Sequence, residues 1–342
     1  MKRVRHGAAG AQNPSLVDAG GTIRDLSGPA AETGGTFHRI CFGSTSLASM
    51  PGTYGYEVNT ERALATVRFD GPTNFLDTAR SYGLGRSEQS IGEVIRERGG
   101  LPQGFVLSTK LDRDLETKRF DGAQARRSIE ESLRALSLDR VQLLHLHDPE
   151  HARSLAEVTG PGGALEELFR IKDEGLAEAV GLAAGITDVM MPLLRDWEFD
   201  ALITHNRFTL VNRNATEIID FATAKGIAVI NAAPYAGGVL AKGSEAFPRY
   251  VYQEASAEAL DPVRRVEAVC ARRGVPPGAV ALQFSMRDPR VASTLCGVSR
   301  PERVRQTLEW AEWPIPDSLW DELAALPFAM DDPEATREWT PG

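Results

Sequence analysis

The chain of 342 residues is 42% hydrophobic and 25% charged, the make-up of a globular protein long enough to bury a large core. Its net charge of -9, with no basic stripe, excludes a general nucleic-acid or membrane-surface partner and leaves a small molecule as the expected one. The three cysteines, Cys41, Cys270 and Cys296, show no CxxC spacing, so neither a disulfide framework nor a zinc site is expected; they read as buried thiols of a cytoplasmic protein.

In chain order, residues 1–36 are rich in Gly, Ala, Ser and Thr and read as an arm, with a weak hairpin around LVDAGGTIRDL. The basic residues at its start have no apolar stretch behind them, so no signal peptide is expected. No run approaches the ~20 apolar residues of a membrane span. A single domain is expected over residues 37–330, with residues 331–342 as a tail. Nothing in the sequence sets an oligomeric state.

Eight short apolar runs follow the arm: HRICFGS (38–44), NFLDT (74–78), FVLSTK (105–110), VQLLHLH (141–147), EAVGLAA (178–184), FDALITH (199–205), IAVINAA (227–233) and VASTLCG (291–297). Amphipathic stretches lie between them, among them TERALATVRF, SEQSIGEVIRER, GAQARRSIEESLRAL and GALEELFRIKDEG. Near-continuous apolar strands, each followed by a helix, describe parallel strands covered on both faces. Eight such units predict a closed (β/α)8 TIM barrel. An open doubly wound sheet is the alternative, disfavoured because no GxGxxG follows the first run.

In a barrel, chemistry collects at the C-terminal ends of the strands. Those ends carry Asp77, Lys110 and His147, with Tyr82 in the loop after Asp77. Each has an ordinary reading: an aspartate caps a helix, a histidine is satisfied in a core, and His145, two residues earlier on the same face as His147, is expected to be such a core histidine. A lysine closing a buried strand must pair or snorkel. Together the four form a proton-transfer set, in which an ammonium beside Tyr82 would favour its phenolate, an aspartate would hold the lysine, and a histidine would orient the substrate oxygen. His145, His147 and Asp148 are the one local cluster of metal-ligand types, and no metal is expected.

The stretches FLDTARSYGLGRSEQSIGEVI, FVLSTK and LLHLHDP resemble, in order and spacing, the motifs of the aldo-keto reductase superfamily, and the resemblance spans about residues 37–327. HNRFTL (205–210) and NAAPYAGGVLAKG (231–243) resemble its aldose 1-dehydrogenase branch. The resemblance implies a barrel that binds NAD or NADP without a Rossmann domain. It also implies Tyr82 as general acid–base, supported by Asp77, Lys110 and His147, and hydride transfer between nicotinamide and the anomeric or carbonyl carbon of a sugar-like substrate. An NADPH-dependent aldehyde or ketone reductase is the alternative, and a cofactor-binding regulatory barrel a further one.

Candidate substrate contacts, by position, are Tyr54, Tyr56, Asp148 and Arg207. Candidate cofactor contacts are Gly43 and Ser44 at the first strand end, Asn206 at the sixth, Pro234, Tyr235, Gly237, Gly238 and Leu240 in PYAGGVL, and Gly297, Ser299, Arg303 and Thr307 after the eighth. The family's usual Ser-Asn pair after the fifth strand is replaced by GLAAG, so Asn206 is expected to take over the nicotinamide carboxamide. The usual stacking aromatic after the seventh strand is replaced by Ala232 and Ala233. Gly297, where NADP-preferring members carry Lys, favours NAD; Arg303, placed to bind a 2′-phosphate, favours NADP; the balance is read as NAD.

Overall fold

The computed structural model describes residues 39–50, 57–67 and 73–337. The hairpin expected within residues 1–36, and Tyr54 and Tyr56, lie outside the described residues. Eight parallel strands close into a barrel: β1 (Ile40–Gly43), β2 (Phe75–Asp77), β3 (Val106–Leu111), β4 (Val141–His147), β5 (Ala177–Ala183), β6 (Ala201–His205), β7 (Ala228–Ala232) and β8 (Val291–Gly297). They neighbour one another in sequence order, and β1 pairs with β8 to close the ring. The barrel prediction therefore holds, and the open sheet is excluded.

The strands are apolar on both faces because both are covered. Outward residues such as Leu76, Leu107, Leu144 and Leu202 join one large cluster under the helices. Inward residues such as Cys41, Phe75, Leu143, Ile203 and Ile230 form a second, smaller cluster inside the ring. This is the layered core of a filled barrel rather than a pore.

The helical layer follows the amphipathic stretches: α1 (Thr60–Val67), α2 (Arg86–Arg98), α3 (Gly122–Leu136), α4 (Ala164–Asp173), α5 (Thr187–Asp196) and α6 (Thr216–Ala224). After β7 come α7 (Ala257–Arg273) and α8 (Pro277–Arg287), and after β8 come α9 (Pro301–Ala311) and α10 (Asp317–Ala324). In α3, Ala125, Ser128, Ile129, Ser132 and Leu136 are buried at helical spacing, and Asp121 caps its start by accepting from the Gln124 amide at 2.9 Å.

Two features had no sequence signal. A small hairpin, Arg249–Tyr250 with Gln253–Glu254, is inserted between β7 and α7. Residues 329–334 return to the loop after β6, where Ala329 exchanges backbone hydrogen bonds with Val211 and Arg213. The three cysteines are buried and free, and no helix among the described residues is long and apolar enough to cross a membrane.

Candidate active site

Strand alternation decides what reaches the mouth of the barrel. Phe75 and Asp77 on β2, Val106, Ser108 and Lys110 on β3, and Leu143, His145 and His147 on β4 face inward at successive levels. Asp77 is registered with Ser108, and Lys110 with His145. Lys110 Nζ, 2% exposed, lies 2.6 Å from Asp77 Oδ2 and donates to the Thr78 carbonyl at 2.6 Å. The other Asp77 oxygen accepts from Ser108 Oγ at 2.9 Å, and Ser108 Oγ lies 3.1 Å from His145 Nδ1. His145 is fully buried, and burial with the nearby Lys110 holds its imidazole well below the ordinary range, so it is a neutral core histidine.

Tyr82 reaches this pair through a tight turn. Gly83, Leu84 and Gly85 all adopt left-handed backbone, and a Cβ at Gly83 would sit 2.3 Å from the Ala48 carbonyl oxygen. Only glycine meets both demands there, while exposed Leu84 bears the strain of a left-handed residue, of order 1–2 kcal/mol. The turn sets the Tyr82 ring with Lys110 Nζ 4.8 Å from its centre and His147 edge-on at 5.9 Å. Burial pushes the Tyr82 phenol up to about 12, with Lys110 opposing the shift. Burial pulls the Lys110 ammonium down, but Asp77 and Tyr82 outweigh it and hold it above the ordinary lysine value.

The structure thus brings Asp77, Tyr82, Lys110 and His147 together, and it adds a fifth group that the motifs did not reveal. Asp112, 3% exposed, has Oδ1 2.6 Å from His147 Nδ1, and its Oδ2 accepts from the Ser81 amide at 2.7 Å.

The four groups open into a cavity of about 390 Å³. Asp148, Glu150, His151, His205 and Arg207 wall one side, together with Asp332 and Glu334 from the returning tail. Asp148 lies 3.6 Å from His147 Nε2. Arg207 is buried, with Nη1 donating to the His205 carbonyl and Nη2 pairing with Asp332 at 2.6 Å, so both terminal nitrogens are held by the protein while Nε has no partner among the described residues. Asn206 Nδ2 donates to Glu334, while Asn206 Oδ1 is buried without a partner.

At the other end lie Gly43, Tyr235, Gly237, Gly238, Lys242, Gly297, Ser299, Arg303 and Thr307. Gly237 and Gly238 take positive φ. Burial and then Arg303, Arg249 and Arg300 lower the Lys242 ammonium, the mark of cations crowded together. Of the remaining cofactor candidates, Ser44 bonds the Asp77 carbonyl and Ser87, Leu240 packs in the core, and Pro234 is buried beside the cavity. Tyr235 meets Trp310 edge-on at 5.9 Å. Ala183, Ala232, Ala233 and Leu295 line the cavity beside it, and Tyr252 enters from the inserted hairpin.

After β5, the Gly185 and Ile186 amides are already taken by Glu150. Asn206, expected to take the nicotinamide carboxamide, is fully buried and does not line the cavity, so its side chain is not presented to a cofactor; a pyrophosphate would meet the positive-φ glycines and Lys242. The residues at this end fit the pyrophosphate of a dinucleotide.

A closed parallel barrel with a buried lysine–aspartate pair, a tyrosine and a histidine at its C-terminal mouth defines an oxidoreductase barrel. The family model described as "Aldo/keto reductase family" matches residues 39–327, and the chain belongs to that family of NAD(P)-dependent oxidoreductases. It is 31% identical over 290 residues to a D-threo-aldose 1-dehydrogenase of a Pseudomonas species, covering 77% of this chain and 86% of that one. It is 26% identical over 300 residues to a pyridoxal 4-dehydrogenase of Microbacterium luteolum, covering 76% and 86%. In fold it resembles an aldo-keto reductase of Bacillus halodurans in its holo form, with TM-score 0.68, 20% identity and coverage of 88% and 95%.

Proposed function

We propose that this enzyme oxidises the anomeric carbon of a sugar-like cyclic hemiacetal to a lactone, with NAD as the preferred acceptor. The observation that carries the reading is the buried Asp77–Lys110 pair beneath Tyr82 and beside His147, at the floor of a cavity with acidic groups on one side. Asp148 offers hydroxyl-accepting oxygens of the kind a polyol requires, and the names of the similar dehydrogenases support an aldehyde-level carbon as the one oxidised.

In this reading His147 orients the substrate through the hydroxyl next to the reacting one, and Tyr82 takes the reacting hydroxyl's proton. Lys110, fixed by Asp77, stabilises the phenolate as it forms. A bound nicotinamide would accept the hydride from the carbon, so that the C–H electron pair and the hydroxyl proton leave by separate routes. Lys242 with the Gly237 amide would hold the pyrophosphate.

Gly297 places no cation at the end of β8, which supports NAD. The crowding of Lys242, Arg300 and Arg303 supports a phosphate-bearing end and keeps NADP as the second acceptor.

The test is a screen of D-arabinose and L-fucose with NAD+ and NADP+, and of aldehydes with NADH and NADPH, followed by nicotinamide absorbance. Reduced nicotinamide forming from sugars supports the reading; turnover confined to NADPH and simple carbonyls would replace it with a reductase. Tyr82→Phe is expected to lower turnover by roughly 10²–10⁴-fold with unchanged cofactor affinity. Undiminished turnover would remove Tyr82 from the chemistry.

A further inference from the structure

The sequence motif ends at Lys110, but the inward face of β3 does not. Two residues on, in the same alternation, stands Asp112, on chain that continues into the loop. Its carboxylate is buried and makes two contacts that converge on the site: the Ser81 amide, one residue before Tyr82, and His147 Nδ1. The Ser128 hydroxyl and Gln124 amide hold its backbone from α3. A carboxylate 2.6 Å from a ring nitrogen requires a proton between them. The one nitrogen of His147 left for the cavity is then Nε2.

We infer that Asp112 is the positioning residue of His147: it fixes the proton on Nδ1 and turns the Nε2 lone pair toward the substrate. This rests on the hemiacetal-oxidation reading above. An Nε2 lone pair accepts from the substrate hydroxyl next to the reacting one, whose own single proton goes to Tyr82, whereas a protonated Nε2 competes with that neighbouring hydroxyl as a donor. Oxidation therefore requires His147 in its neutral, Nδ1–H form, and the acid limb of its pH profile belongs to His147.

The groups facing this imidazole are Lys110, Asp112 and Tyr82, with Asp148 on its Nε2 side. Farther out are His145 on the same strand, His151, His205 and Arg113 around Asp148, and Glu88 behind Asp112. Burial pulls the His147 imidazolium down, but Asp148 and Asp112 outweigh it and hold its pKa above the ordinary histidine value. Asp112 itself resists its burial because His147 and the Ser81 amide hold its carboxyl below the usual range.

The full-length wild type with 15N-labelled histidine provides a readout that needs neither variant nor turnover, with the His147 signals assigned by their loss in His147→Gln. The expected result is a neutral His147 protonated on Nδ1, with Nε2 titrating above the ordinary histidine pKa. A neutral Nε2–H tautomer would overturn the inference.

In the aldose-oxidation assay, Asp112→Asn should lower kcat/KM at least ~tenfold at alkaline pH and move the acid limb at least ~1 unit toward acid, as the imidazolium loses its counter-charge. Asp112→Glu should return the limb toward its original position, and Glu88→Gln should leave it in place. A loss of amplitude in Asp112→Asn with an unmoved limb would overturn the inference as surely as the wrong tautomer. Absence of any nicotinamide-dependent turnover by the wild type would fail the functional reading alone and leave the tautomer measurement standing.

Discussion

Arg207 Nη2 lies 2.6 Å from Asp332 Oδ1, an ion pair that ties the end of β6 to a segment 125 residues later in the chain. Beside it, Glu334 lies 3.4 Å from His205 and 3.8 Å from Arg207, and Arg337 pairs with Glu334 at 2.9 Å. The tail is therefore a wall of the cavity, held by charges that are themselves largely buried.

Glu334→Gln is expected to destabilise the protein by about 1–3 kcal/mol at neutral pH, because a charged hydrogen-bond acceptor is lost among cations. Although burial opposes it, His205, Arg207 and Arg337 hold the Glu334 carboxyl well below the usual range. Its stabilisation is thus complete above the unfolded-state carboxylate pKa of ~4.3 and is lost progressively as pH falls from there through its much lower folded value. Urea unfolding at neutral pH and near pH ~3 should show a narrower gap between wild type and variant at the acid end. A constant gap would refute the ionic account.

The Asp77–Lys110 pair makes a second prediction. Both side chains are about 2% exposed, so removing either partner leaves a charge without compensation. Asp77→Asn or Lys110→Met alone should cost about 3–5 kcal/mol, and the double variant less than either, since breaking a buried pair is worse than replacing it. All three should lose most turnover. Additive stability losses in thermal or urea unfolding would show that the two do not act as a unit.

These two clusters differ in how far the sequence reveals them. Asp77, Lys110 and His147 each close an apolar run, so strand periodicity alone brings them to one rim, and Tyr82 follows from the resemblance of its loop. Asp112 was legible in principle, as the next inward position after Lys110, but the apolar run stops before it.

Asp332 and Glu334 were not legible, because their place depends on Ala329 docking beside Asn212, a contact across more than one hundred residues with no local pattern. The same limit governs Arg207, which lines the cavity but whose guanidinium meets a tail that no spacing announces. The inserted hairpin that delivers Tyr252 is two residues per strand, too short for alternation to register.

Cofactor discrimination gives a third prediction. Arg303 donates to Gln306 and lies close enough to Lys242 to lower its ammonium. Arg303→Ala should weaken NADP+ more than NAD+, by roughly tenfold against less than threefold, as expected for one exposed phosphate contact of about 1–2 kcal/mol. Fluorescence titration of the two dinucleotides measures the ratio; equal losses would place Arg303 at a phosphate common to both.

Glu88 offers a variant expected to improve the fold. It opens the first turn of α2, yet its carboxylate is buried, accepting from Thr109 Oγ1 at 2.6 Å while Oε2 has no partner. Burial raises its carboxyl to about 7, against hydrogen bonding from Thr109. At pH below the unfolded value the group is protonated in both states and costs nothing. Between there and about 7 the unfolded chain ionises first, so stability falls as pH rises, by about 3 kcal/mol in total. Glu88→Gln keeps an acceptor for Thr109 and cannot ionise. It should therefore stabilise the protein by about 2–3 kcal/mol at pH ~8 and by little at pH ~4.5, read from urea midpoints at both. A variant no more stable than wild type at pH ~8 would mean that the Glu88 carboxylate ionises in place without penalty, contrary to its desolvated position.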